Sequence, residues 1–316
     1  MRIAIVRNPL HVALLVDNRS DVDEVWYRER FMEPTLVDSG FETRHIGREM
    51  RPEGLGEVRA ARAHNRAYYA NLRTTISDCR VSDVIAFLES EPLEEFVRGV
   101  VGDDHIELWE EGMAHYVDLE PLYRVMFRSA VQTTVGFYPR RPWIRRWPAD
   151  LRRRDRFAER SLVLSRPIPS DSKAVARVLL IGTPLIQDGR CSERAFLRGL
   201  ATVVSASALP VDYVPHPRED LADIASEIRA IGAHVVKRSL AEVLGTTSYV
   251  AYVTSYSSGI LDVPADRARV MCPKVFGLHR YARELSGSPI ADEVRIIDDV
   301  ADLGDFITGR KCPGNC

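Results

Sequence analysis

The chain has 316 residues, 45% of them hydrophobic and 28% charged, with a formal net charge of −2. This is the composition of a globular protein with an ample core, and its length suggests two domains. The near balance of charge excludes a nucleic-acid binder held by bulk electrostatics.

Arg2-Ile3-Ala4-Ile5-Val6 reads as a first buried strand and not as a secretory leader. No apolar run is long enough to span a bilayer. The five cysteines have neither zinc spacing nor the look of a disulfide framework. The expectation is a reduced, cytoplasmic protein. Asn8-Pro9-Leu10-His11 reads as a loop, and a helix follows from Val12. Strand, loop and helix in that order open a Rossmann-like domain. No Gly-x-Gly-x-x-Gly accompanies them, which argues against a dinucleotide cofactor.

Phe41 to Ile46 alternates as a strand. Leu55 to Ser77 has helical spacing, Val84 to Leu88 is a short apolar strand, and Leu93 to Val101 is a helix. The stretch His105 to Val117 then begins as a buried strand and runs into Glu110-Glu111-Gly112. Adjacent carboxylates repel, which suits a general base, and the glycine permits a sharp turn. Taken alone, the tripeptide is an ordinary surface turn. A helix near Leu122 to Val131 completes a βα alternation that implies a parallel sheet covered on both faces.

From Pro139 to Arg160 the composition shifts to proline, tryptophan and arginine. This reads as a solvated linker, with an anionic membrane surface or glycan as the sharper alternative. A second α/β unit follows. Ala176 to Leu185 is a strand ending in a Gly182-Thr183 loop, and Ser192 to Ser205 is a helix. Val211 to Val214 is a strand that ends at Pro215-His216-Pro217. Leu221 to Ile231 is a helix, and Tyr249 to Thr254 is a strand followed by Ser257-Ser258-Gly259, which reads as a helix opening. The last strands fall at Val270 to Cys272 and Val294 to Ile297. The fold expected is therefore α/β of the GT-B kind: two Rossmann-like domains, 1–160 and 161–316, facing an interdomain cleft.

Three motifs carry the chemistry. A histidine stiffened by flanking prolines can donate to a phosphate and assist a leaving group. Two serine hydroxyls beside free backbone N–H groups can hold an anion. The acidic pair supplies a base. In the order Glu110-Glu111-Gly112, His216-Pro217, Ser257-Ser258, the chain resembles the bacterial GT-B sialyltransferases. Tyr213 to Glu219 is similar to the His-Pro segment of glycosyltransferase family 52, the lipooligosaccharide sialyltransferases. Asn8-Pro9-Leu10-His11 resembles that family's Thr-Pro-Leu-x opening. Trp109 to Gly112 with Tyr116, Val117 and Leu119 is similar to a stretch of family 80, and family 38 shares the three signatures. Glu-Glu stands where Asp-Asp is common.

The resemblance implies an inverting transferase that uses a CMP-activated nonulosonic acid, normally CMP-sialic acid, and a glycan or glycoside acceptor. It implies no metal and no cofactor, the donor being a substrate. Glu110 would be the base and His216 the acid. Ser257 and Ser258 would hold the phosphate and Glu242 the ribose. Glu111, Gly112, Gly182, Thr183 and Pro217 would line the donor and acceptor sites. Two other readings are a sugar-nucleotide epimerase of similar architecture and a non-catalytic nucleotide or glycan binder. A homodimer and a peripheral contact at the inner membrane face are compatible with the sequence.

Overall fold

A computed structural model describes residues 1–18, 21–89, 91–118, 120–139, 147, 151–157, 174–222 and 224–307. The chain forms two compact units. One comprises Met1–Glu111 and Asp118–Ser165, the other Gly112–Val117 and Arg166–Cys316.

The first unit runs β1 (Arg2–Val6), α1 (Pro9–Asp17), β2 (Glu24–Tyr27), α2 (Glu33–Ser39), β3 (Thr43–His45), α3 (Val58–Asp78), β4 (Asp83–Ala86), α4 (Pro92–Val101), β5 (Ile106–Trp109), α5 (Leu122–Thr134) and β6 (Arg152–Arg154). Its strands form one parallel sheet in the order β3-β2-β1-β4-β5-β6. Alternate residues of β1 feed the two faces. Ile3 and Ile5 join a cluster with Tyr69, Leu72 and Phe96, while Ala4 and Val6 join Val12, Leu15, Leu36 and Trp109. Helices on both faces explain why the central strands are apolar throughout.

Several elements depart from the sequence expectation, α2 among them. Asn8 to His11 is not a loop, because Asn8 caps α1 by accepting the His11 backbone N–H and Pro9 occupies the first helical turn. β2 and β6 were not foreseen. β6 lies inside the arginine-rich stretch, of which residues 140–146, 148–150 and 158–160 lie outside the described residues. Its described end is no solvated linker. Arg152 to Arg154 pair in register with Glu107 to Trp109. Arg152 bonds Asp83 at 3.0 Å and Arg153 bonds Glu89 at 3.1 Å. Arg154 lies over the Trp109 ring, 4.9 Å from its centroid. These guanidinium groups serve the sheet edge, where charge also discourages pairing with a foreign strand.

The second unit runs β7 (Val175–Ile181), α6 (Glu193–Ala206), β8 (Val211–Val214), α7 (Ala225–Ile231), β9 (Ala233–Val235), α8 (Leu240–Thr246), β10 (Tyr249–Thr254), β11 (Ala268–Met271), α9 (His279–Ser286), α10 (Ile290–Glu293), β12 (Arg295–Ile296) and α11 (Val300–Ile307). Its parallel sheet has the order β12-β11-β10-β7-β8-β9. Renumbered from its own first strand, that is the order of the first sheet. Both repeat the Rossmann arrangement, in which neighbouring crossovers leave in opposite directions and open a crevice at the strands' carboxyl ends. That switch point lies between β1 and β4 in the first unit and between β7 and β10 in the second. Among the described residues no helix is long and apolar enough to cross a membrane.

Candidate functional site

In the second unit the predicted donor residues gather at the switch point. Gly182 directly follows β7, and its N–H continues the ladder to Val214 O at 2.8 Å. The loop carrying His216 crosses immediately above it. A Cβ at position 182 would stand 2.6 Å from the His216 backbone nitrogen and 2.3 Å from a Glu219 oxygen. Glycine is therefore required by close backbone approach. Thr183 is buried. Its hydroxyl accepts from Ser255 Oγ at 2.9 Å and lies 3.4 Å from Thr254 Oγ1. Thr254 donates to Ile181 O and accepts the Ser257 N–H at 3.1 Å. This buried hydroxyl cluster ties the ends of β7 and β10 to the serine turn, each bond contributing about 0.5–1.5 kcal/mol net. Thr254 and Ser255 were not foreseen, though hydroxyls ending a buried strand are a usable signal.

Ser257 and Ser258 do not open an α-helix. They begin the short 3-10 turn Ser258–Asp262, and the Ser257 side chain accepts the Gly259 N–H at 3.3 Å. Gly112 belongs to this unit and lies against that turn. A Cβ there would be 3.2 Å from Ser258 Oγ, and its φ of 153° is glycine territory. The last residue of the acidic motif thus meets the serine motif within one unit.

His216 is half-buried. Its Nδ1 accepts the Arg218 backbone N–H at 3.1 Å, which assigns the proton of the neutral ring to Nε2. Burial pushes the imidazole below its ordinary range, and the Arg218 charge adds to this. Pro217 is exposed at the turn. Glu219, noted in the sequence only as part of the His-Pro segment, holds the loop by accepting from the His216 N–H and the Tyr213 hydroxyl. Glu242 is exposed and forms a capping box with Ser239 at the start of α8. One of its oxygens accepts from the Ser239 N–H at 2.7 Å and from the Ser239 hydroxyl at 2.8 Å. Leu240, the first residue of α8, packs against Gly259, so this helix start borders the serine turn.

In the first unit the acidic pair stands just beyond β5, and its members differ sharply. Glu110 is 4% exposed. It accepts from Arg156 Nε at 2.8 and 3.0 Å and from the Arg156 backbone N–H at 3.0 Å. Nothing in the sequence marked Arg156 as its partner. Glu111 is half-buried. Its Oε1 accepts from Asn8 Nδ2 at 3.2 Å and lies 3.4 Å from His11 Nε2. The divergence follows from strand geometry, since neighbouring residues on extended chain point to opposite sides.

Neither a known family profile nor a curated protein sequence matches this chain. Solved structures do. Arabidopsis thaliana UGT89C1, solved with UDP, superposes with a TM-score of 0.53 at 10% identity, over 99% of this chain and 91% of that one. Acinetobacter baumannii MurG gives 0.50 at 10% identity, over 98% and 90%. The kitacinnamycin glycotransferase gives 0.50 at 12% identity, over 98% and 90%. At these identities the likeness is one of fold. With its two Rossmann-ordered sheets, the chain has the GT-B fold.

Proposed function

We propose that this chain is a glycosyltransferase that moves a nonulosonic acid of the sialic acid type from a CMP-activated donor to a glycan or glycoside hydroxyl, with inversion and without a metal. The observation that carries this reading is the make-up of the second unit's switch point. One imidazole N–H and a serine turn stand there, on a base of buried hydroxyls. A CMP donor presents a single phosphate, and a few neutral donors at a fixed position match one phosphate charge.

His216 donates Nε2–H to that phosphate, and Ser257 and Ser258 complete its cradle. Gly182, Thr183 and Pro217 border the nucleotide. Glu242 takes the ribose hydroxyls with the oxygen its capping box leaves open. Of the acidic pair, Glu111 receives the acceptor's proton. What supports Glu111 over Glu110 is the burial of Glu110 against Arg156, which leaves that carboxylate little to offer an incoming proton. As the acceptor oxygen bonds to the anomeric carbon, the bond from that carbon to the phosphate oxygen breaks. CMP departs with the electron pair, through an oxocarbenium-like state. Gly112, with its φ of 153°, allows the chain a sharp turn directly after the acidic pair.

Thermal unfolding with CMP, UDP and CMP-N-acetylneuraminic acid tests the donor class. A ligand at about 100 times its Kd stabilises by about 2.7 kcal/mol. CMP and its sialic acid conjugate should raise Tm, and UDP should do so much less. UDP is the informative rival, being the nucleotide solved with UGT89C1. Stabilisation by UDP alone would move the chain to diphosphate donors, whether as a transferase or an epimerase. CMP binding without turnover would make it a binder.

A further inference from the structure

The first unit holds a buried imidazole that the transfer step above does not use. His11 lies in the first turn of α1, excluded from solvent. Its ring stacks on Phe87, just beyond β4, with centroids 4.0 Å apart and planes within 13°. The two residues therefore follow β1 and β4, the strands that flank this sheet's switch point.

The proton positions follow from the contacts. Nδ1 accepts the Arg7 backbone N–H at 3.2 Å, so in the neutral ring Nε2 carries the hydrogen. Asn8 Oδ1 is committed to the His11 N–H at 3.1 Å as the helix cap, so Asn8 turns its Nδ2 donor the other way. His11 Nε2, Asn8 Nδ2 and Glu111 Oε1 form a triangle with sides of 3.1, 3.2 and 3.4 Å. With the hydrogen on Nε2, the 3.1 Å side brings two donors together and is no hydrogen bond, while the other two sides run to a carboxylate oxygen that can only accept. Both donors address the carboxylate oxygen.

We propose that His11 is a positioning residue: with the Asn8 amide it fixes Glu111 Oε1 and leaves Oε2 as the oxygen that receives the acceptor's proton. This rests on the reading of Glu111 as the base. The groups facing the ring are the Arg7 guanidinium, itself paired with Glu94, the Asn8 amide, the Phe87 ring and Glu111. Burial pulls the imidazole below its ordinary range and Arg7 adds to this, outweighing Glu111. A neutral ring donates one hydrogen bond without neutralising the base. A ring locked by stacking holds that bond in one direction, and a base displaced by about 1 Å loses on the order of 10²-fold in rate.

Two measurements test this separately from the overall function. In two-bond ¹H–¹⁵N spectra of ¹⁵N-histidine-labelled protein, His11 is assigned by its loss in His11→Phe. It should show the Nε2–H tautomer when neutral and titrate below the ordinary 6.5, and its Nε2 signal should move in Glu111→Gln. Titration near the ordinary 6.5, the Nδ1–H tautomer, or indifference to Glu111→Gln would overturn the proposal. The second measurement is CMP release from CMP-N-acetylneuraminic acid. His11→Phe keeps a ring against Phe87 and loses the N–H. It should lower kcat about 10- to 100-fold with the donor KM unchanged. His11→Gln should recover part of that loss, and Glu111→Gln should add little to His11→Phe. Fully additive losses would overturn the proposal. If the wild type releases no CMP, the assigned function fails, and the tautomer measurement still decides the placement of His11.

Discussion

Glu219 shows how much one side chain determines in the second unit. Its two oxygens accept from the His216 N–H at 2.5 Å and the Tyr213 hydroxyl at 2.7 Å. Both donors favour the ionised form, but burial outweighs them and pushes the carboxyl up to about 7. A carboxyl whose pKa is higher folded than unfolded holds its proton more tightly in the folded state. Its stabilising contribution is complete below the ordinary 4.5 and is lost as pH rises through about 7. Comparing wild type with Glu219→Gln, the wild type should lose Tm relative to the variant between about pH 5 and pH 8. Parallel Tm curves would contradict this role. Residues of this kind mark the limit of legibility. His216, Ser257 and Glu110 stood out because motif neighbours announced them. Arg156 did not, since an ion pair across an edge strand leaves no local pattern, and neither did the different surroundings of Glu110 and Glu111.

At the scale of elements, the loop from β8 passes over the end of β7, and Gly182 is what permits the crossing. Gly182→Ala should displace the His216 loop. Overpacking of this type costs about 1–3 kcal/mol, so a fall in Tm with weakened CMP binding is expected. Unchanged CMP affinity would separate this loop from the nucleotide site. The central strands β1, β4, β5, β7 and β10 were readable because strands covered on both faces are written as apolar runs. The edge strand β6 was not, because it is three arginines whose partners lie far away in sequence, whereas the exposed edge strand β3 was found by its alternation. The serine turn was misread as a helix opening because a cap looks alike for a full helix and for a 3-10 turn.

At the scale of the molecule, one sheet order is used twice, and in each copy the residues proposed to carry the chemistry follow strands of the sheet at their carboxyl ends. In the first unit these are Asn8, His11 and Glu111; in the second, Thr183, His216 and the serine turn. The alternation of strands and helices, together with the lack of a glycine fingerprint, was enough to expect this doubled architecture. The proposed donor rests on finer detail, the hydrogen-bond donors of the second unit's crevice. The direct measurement is release of CMP from CMP-N-acetylneuraminic acid in the presence of EDTA, for wild type, Glu111→Gln and His216→Ala. The account predicts release by the wild type in chelator. Glu111→Gln should lose about 10²–10⁴-fold in kcat with donor KM retained, and His216→Ala should lose both turnover and donor binding. Full activity in both variants, or turnover of the wild type that disappears in chelator and returns with Mn²⁺ or Mg²⁺, would contradict it.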